Sequence, residues 1–364
     1  MNKMKKIVFE NGREFIGHGF GADVEMVSEA VFNTNMVGYQ ELISDPAYFG
    51  QMVVLTYPII GSYGITDEDF ESKTPNMGGL IVGDYNDKPS NYRYTRTLSD
   101  VMSEYGLPGI TGLDTRAITL MLRDEGEMKV IITDVETTKE EALAKIAAYV
   151  PCENPVSVVA CKKMWHKRTP TYSYNVVAVD CGIKNSMIRA FNNVGCNVTI
   201  VPPTVTLEEI AHLEADGVFI GGGPGAPEKN ENVIEIVKAL WGKMPIFGVA
   251  LGHQIVCLSK GANIYKLPKA YRGGGAVRNL TTGKVELVSQ NYAYAVCGKS
   301  LENTGLEVTF ENVLDKSVAG VKNENEFVMT AQFNPEGGPG SQDTEYLYKE
   351  FTEMMKQFKM RGDK

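Results

Sequence analysis

The stretch 245–254, PIFGVALGHQ, decides how this chain is read. Its apolar opening reads as a short buried strand, the small residues after it as a tight turn, and LGHQIVCLSKG as a helix. Strand–turn–helix junctions of this kind are where many enzymes mount a nucleophile, with the reactive side chain at the apex. Here the apex is Ala250, and a methyl group cannot attack a carbonyl.

On either side of this junction, short apolar runs alternate with helical patterns. NVVAVD, NVTIVP, GVFIGG and PIFGVA read as strands, while NSMIRAFNNVG, TLEEIAHLEA and NENVIEIVKALWG read as helices. That alternation predicts a parallel sheet covered on both faces, an α/β fold over 175–364. The later GKVELVSQNYAYAV and EFVMTAQFNPEG return to hairpin-like strands, and TEYLYKEFTEMMKQFKM closes the chain as an amphipathic helix.

The N-terminal part, 1–150, is β-rich. KIVFENGREFIGHGFG places Asn11-Gly12 between two alternating runs, a strong hairpin signal. EAVFNTNM and QMVVLTYP read as strands. DTRAITLMLRDEGEM reads as a helix capped by Asp114 or Thr115 and stopped at Gly126. TTKEEALAKIAAYV is a second amphipathic helix. The stretch 151–174 has three prolines and no clean period, so it reads as the connection between two domains.

A length of 364 residues fits two domains of ordinary size. The net charge of −9 argues against nucleic-acid or anionic-membrane partners, which want a basic surface. No apolar run approaches the roughly 18 residues that span a bilayer, and the N-terminus lacks the apolar core of a signal peptide. The six cysteines form no CxxC pair and read as free cytoplasmic thiols. No His/Cys cluster has zinc spacing, and no metal site is expected.

In a parallel sheet, ligands sit beyond the carboxyl ends of the strands. Three stretches fall there: GGGPGAP (221–227), GVALGHQ (248–254) and QFNPEGGPG (332–340). GGGPGAP lacks the Lys-Ser/Thr of a P-loop, so no nucleotide binding is expected in this chain.

With these motifs in place, the C-terminal half resembles a class I glutamine amidotransferase domain. The whole chain resembles the small-subunit family of carbamoyl phosphate synthetase. Its N-terminal half carries that family's own signatures, FNTNMVGYQELISDPAYFGQMVVLTYPIIGSYG (32–64) and GLDTRAITLMLR (112–123). The resemblance implies an N-terminal small-subunit domain and a C-terminal amidotransferase domain with a central, mostly parallel sheet. It also implies glutamine hydrolysis by an elbow cysteine, with a histidine oriented by a glutamate handling the protons. Ammonia then passes to a large subunit, which makes carbamoyl phosphate from bicarbonate with ATP and Mg. The expected assembly is a cytoplasmic heterodimer serving pyrimidine or arginine biosynthesis.

Carried over residue by residue, the resemblance gives a broken site. Ala250 stands at the nucleophile position. The family's HPE becomes Asn334-Pro335-Glu336, and asparagine cannot shuttle a proton. Glu336, the orienting carboxylate, remains. So do the oxyanion contributors, the Gly223/Gly225 loop and the N–H of Leu251. Among the glutamine-binding positions Gln254 and Asn291 match. The family's QNHGF is here QNYAY, placing Tyr292, Ala293 and Tyr294 at the pocket. Gly50 stands where some relatives have a serine that touches glutamine, and YRGGGAV (271–277) departs from the family's HRGGNHPV. Cys257 lies about two helical turns beyond Ala250, too deep to replace it. His253 reads as structural.

The expectation is therefore a small subunit that does not hydrolyse glutamine and supports an ammonia-dependent large subunit. The alternative is a regulatory protein that senses glutamine on the same fold. A working glutaminase with two engineered changes accounts for Ala250 and Asn334, but not for Tyr292, Ala293 or 271–277.

Overall fold

The computed structural model describes residues 3–362. The chain divides between Glu153 and Asn154 into two units.

The first unit is a closed barrel. Its strands run in the order Met4–Phe9, Glu14–Gly21, Pro108–Thr111, Gly79–Ile81, Gln51–Leu55, Met26–Asn33 and Met128–Asp134, and the last pairs back onto the first. The Asn11-Gly12 hairpin forms as expected, with Gly12 at φ +79° and Val8 opposite Glu14. Alternation along Gln51–Leu55 sends Met52 and Val54 into one apolar cluster and Val53 and Leu55 into another. Helix Thr115–Glu125 covers the first cluster with Ile118, Met121 and Leu122. Its N-cap is Asp114, which accepts from the Ala117 N–H at 2.9 Å, and Gly126 closes it at φ +96°. Helix Lys139–Ala148 opens with a capping box between Thr138 and Glu141.

The second unit is built on a ten-stranded sheet. Five parallel strands form its centre: Cys196–Val201, Tyr174–Val179, Gly217–Ile220, Ile246–Val249 and Val328–Ala331. Antiparallel strands extend it on one side, through Val318–Asn323, Val285–Val296, Ile264–Asn279 and Glu307–Asn312. Helices cover both faces. On one, helix Asn185–Asn193 and the C-terminal helix Tyr346–Gly362 bring Phe191, Tyr348 and Phe351 against Phe219 and Phe247. On the other, helices Glu231–Leu240 and Leu251–Ser259 pack Val233, Ile236 and Ile255 against Val218 and Ile246.

Residues 151–174 carry structure of their own. Val156 and Ala160, at the short helix Val156–Val159, are buried with Val177, Val179 and Val201. Strand Trp165–Lys167 pairs antiparallel with Cys196–Val201 at the sheet edge. The prolines interrupt any period in this stretch, so its few buried apolar residues leave no pattern to read.

Candidate functional site

Strand Ile246–Val249 ends and helix Leu251–Ser259 begins with one residue between them, Ala250. Its backbone stands at φ 52°, ψ −110°. A side-chain-bearing residue is strained there by about 1–3 kcal/mol. Neighbouring glycines let the turn close. A Cβ on Gly252 would lie 2.1 Å from the Ile220 carbonyl oxygen, and one on Gly248 would lie 2.7 Å from that of Gly252. The Ala250 N–H donates to Ala331 O at 2.8 Å, and the Gly252 N–H to Gly221 O at 3.1 Å. The geometry is a nucleophile elbow, with the strain retained and no nucleophile on it.

The loop after Gly217–Ile220 lies against this elbow. A Cβ built on Gly222 would be 3.5 Å from the Ala250 Cβ, and one on Gly223 only 1.9 Å from Cys181 O. Gly225 takes φ +87°. Leu251 opens the helix, so its N–H has no intrahelical acceptor. The two stretches expected to supply an oxyanion site thus follow adjacent parallel strands.

Strand Val328–Ala331 delivers the third stretch. The Asn334 N–H donates to Ser289 O at 3.0 Å, which ties this turn to the strand carrying Asn291. Glu336 is buried, and its carboxylate is held from two sides. Lys184 Nζ lies 2.6 Å from Oε1, and the Tyr348 hydroxyl donates to Oε2 at 3.1 Å. Lys184 also donates to Gly338 O at 2.8 Å. Lys184 and Tyr348 escape a sequence reading. Lys184 follows a strand's carboxyl end in DCGIKNS, but nothing in that motif signals a lysine buried against a glutamate.

Gln254 donates through Nε2 to Tyr294 O at 3.0 Å and to Gln332 Oε1 at 3.2 Å. Asn291 accepts from Arg272, its cross-strand partner, through Oδ1. Its Nδ2 is buried without a hydrogen-bond partner among the described residues. Tyr292 pairs across the strands with Tyr271, their rings 5.4 Å apart, and its hydroxyl accepts from Gln290 Nε2 at 3.1 Å. The two tyrosines, both standing where the resemblance has histidine, are thus one coupled packing change with Leu267 and Ala295. Ala293 lies next along the same strand. Gly50 belongs to the first unit, at φ +67°, with its N–H donating to Asn76 O at 3.0 Å. A side chain there would have room, but that backbone conformation disfavours a serine.

The nearby His253 and Cys257 are fully buried. His253 Nδ1 lies 2.7 Å from the Thr330 hydroxyl. That hydroxyl also accepts from the Val321 N–H at 3.0 Å, so it ties the ring to the neighbouring strand. Burial pushes the His253 pKa down to about 3, keeping the ring neutral. Burial pushes the Cys257 thiol up, and its surroundings are Ala262, Val296, Leu301 and Val321. Neither supplies a substitute nucleophile–base pair.

Residues 177–354 match the glutamine amidotransferase class-I family, the class of protein that this sheet and elbow define. Residues 7–132 match the CPSase domain of the carbamoyl-phosphate synthase small chain. The chain belongs to the carbamoyl phosphate synthase small chain family. The small chain of Fusobacterium nucleatum subsp. nucleatum is 43% identical over 350 residues, covering 95% of this chain and 97% of that one. The small chain of Staphylococcus saprophyticus subsp. saprophyticus is 40% identical over 362 residues, covering 99% and 98%. A solved glutamine amidotransferase from Thermotoga maritima aligns with 51% of this chain and 85% of its own, at TM-score 0.38 and 16% identity.

Proposed function

We propose that this chain is a small chain that docks on a carbamoyl phosphate synthase large chain without hydrolysing glutamine, so that the large chain draws on free ammonia. The observation that carries this reading is the strained elbow with Ala250 at its apex. Asn334, in place of a proton-shuttling side chain, adds to it. Losing one essential member of a nucleophile–base unit costs on the order of 10^6 in rate, and removing the others then changes little. An oxyanion site acting alone leaves about 10^3–10^4 over water, far too little to feed a synthetase. The ATP and Mg chemistry belongs to the large chain.

The test is carbamoyl phosphate formation by this chain co-expressed with its large chain, supplied with glutamine or with ammonium. Product with ammonium and background with glutamine is the expected result. Product with glutamine would overturn the reading and require a nucleophile elsewhere.

A further inference from the structure

In the second unit, the C-terminal helix Tyr346–Gly362 faces the hairpin of strands Val318–Asn323 and Val328–Ala331 across a cavity of about 430 Å³. The helix lines it with residues at helical spacing: Tyr346, Lys349, Glu350, Glu353, Met354 and Gln357. The hairpin supplies Phe327 and Met329, and these two with Met354 make a buried apolar floor. Phe327 stands at φ +57°, a conformation that bulky residues rarely adopt and that clusters at ligand and active sites. Strand Val328–Ala331 begins at this cavity and ends beside the elbow, where Ala331 pairs with Val249. The cavity therefore lies at the opposite end of the strand from the amidotransferase site.

The charges around the floor are not all matched. Lys322 Nζ lies 2.8 Å from Glu324 Oε1, and Lys356 Nζ lies 3.9 Å from Glu353 Oε2. Lys349 and Glu350 remain. Among the described residues, neither side chain makes a hydrogen bond or an ion pair. Desolvation raises the Glu350 carboxyl above its ordinary value, and Lys322 offsets this only in part. The cavity thus sets one unmatched ammonium and one unmatched carboxylate above an apolar floor. A purely cationic ligand would leave Lys349 without a counter-charge, and a purely anionic one would leave Glu350 without one. A zwitterion with an apolar body matches both. The volume falls within the roughly 300–1,000 Å³ of small-molecule sites. The sulfurs of Met329 and Met354 favour an aromatic ring as that body.

The geometry points to a binding site for an α-amino acid with an aromatic side chain, its carboxylate on Lys349, its ammonium on Glu350 and its ring on Phe327, Met329 and Met354. The site is independent of the function proposed above. The test is calorimetry on the full chain with three probes: L-phenylalanine, phenethylamine, which lacks the carboxylate, and 3-phenylpropanoate, which lacks the ammonium. L-phenylalanine is expected to bind, and each of the other two to bind about 10-fold more weakly. Lys349→Met and Glu350→Gln are each expected to weaken L-phenylalanine about 10-fold. Both side chains stand exposed at the rim, so the thermal melts of the variants should match that of the unmodified chain. Lys349→Met should leave phenethylamine binding unchanged, and Glu350→Gln should leave 3-phenylpropanoate binding unchanged. No heat with L-phenylalanine at millimolar concentration would overturn the inference. Equal affinity for all three probes would overturn the zwitterion assignment. Binding of L-phenylalanine at full strength in both variants would place it elsewhere, the amidotransferase pocket included, and overturn this site.

Discussion

Lys184 and Glu336 form an ion pair 2.6 Å apart with both side chains 2% exposed. They come from the ends of two parallel strands, Tyr174–Val179 and Val328–Ala331, so the pair ties one side of the site to the other. Asparagine, not histidine, stands two residues before the carboxylate, whose buried ionic partner is the lysine. Removing one partner of a buried pair leaves an uncompensated charge and costs about 3–5 kcal/mol. Lys184→Met is therefore expected to lower the unfolding free energy by that amount in urea titration. Adding Glu336→Gln is expected to recover much of the loss. A single-variant cost below about 1 kcal/mol would show that the pair does not hold the site.

The strain at Ala250 is separable from its chemistry. Glycine occupies φ 52° without the Cβ clash that alanine suffers, at the cost of a more flexible unfolded chain. The balance favours the variant by about 1 kcal/mol. Ala250→Gly should raise the denaturation midpoint and leave ammonium-dependent synthesis unchanged. A loss of stability would mean that the Ala250 methyl contributes more by packing than its backbone costs.

A nucleophile and its base act as a unit, so restoring one alone should restore nothing. Ala250→Cys and Asn334→His are each expected to stay at background in glutamine hydrolysis, and the double variant to rise at least 100-fold above either. In the same proteins iodoacetamide should label the exposed Cys152 and spare the buried Cys257. Activity from a single variant would place an unrecognised partner in the pocket.

The strand–turn–helix at 245–254 could be read because its signals are local: an apolar run, small residues at the turn and a helical period after it. The same holds for the Asn11-Gly12 hairpin and for the cap and stop of helix Thr115–Glu125. Barrel closure was not legible. It pairs Met4–Phe9 with Met128–Asp134 across more than a hundred residues, and no local pattern reports such a pairing. The meaning of Tyr292 was hidden for the same reason. Alone it looks like damage to a binding motif, but set opposite Tyr271 it is half of a cross-strand pair. Lys184 gives no sign of burial until Glu336 is folded against it.

Acid should act on the barrel through Asp134. The ammonium groups of Lys5 and Lys3, 2.8 and 2.9 Å from Oδ1, hold its carboxyl down at about 2. Hydrogen bonding from Lys5 also holds the Asp23 carboxyl below its ordinary value. A depressed carboxyl contributes stability that is fully present above the unfolded value of about 4 and is lost as pH falls toward about 2. Asp134→Asn should flatten that limb of the stability profile.

His253 sets a second window with a different origin. Its ring is neutral in the fold, with a pKa of about 3, while in the unfolded chain it titrates near 6.5. Between those values the unfolded state binds the extra proton, so stability falls as pH falls from about 6.5 toward 3. The chain has only four histidines, which makes this limb readable in unfolding measured at closely spaced pH. His253→Asn keeps a polar amide beside the Thr330 hydroxyl, which the ring reaches through Nδ1 at 2.7 Å, and has nothing to protonate. The variant should lose stability at pH 8 from the smaller side chain, yet show a flatter profile between pH 6.5 and 4. An unchanged slope would assign the limb to the carboxylates and leave His253 only its packing role.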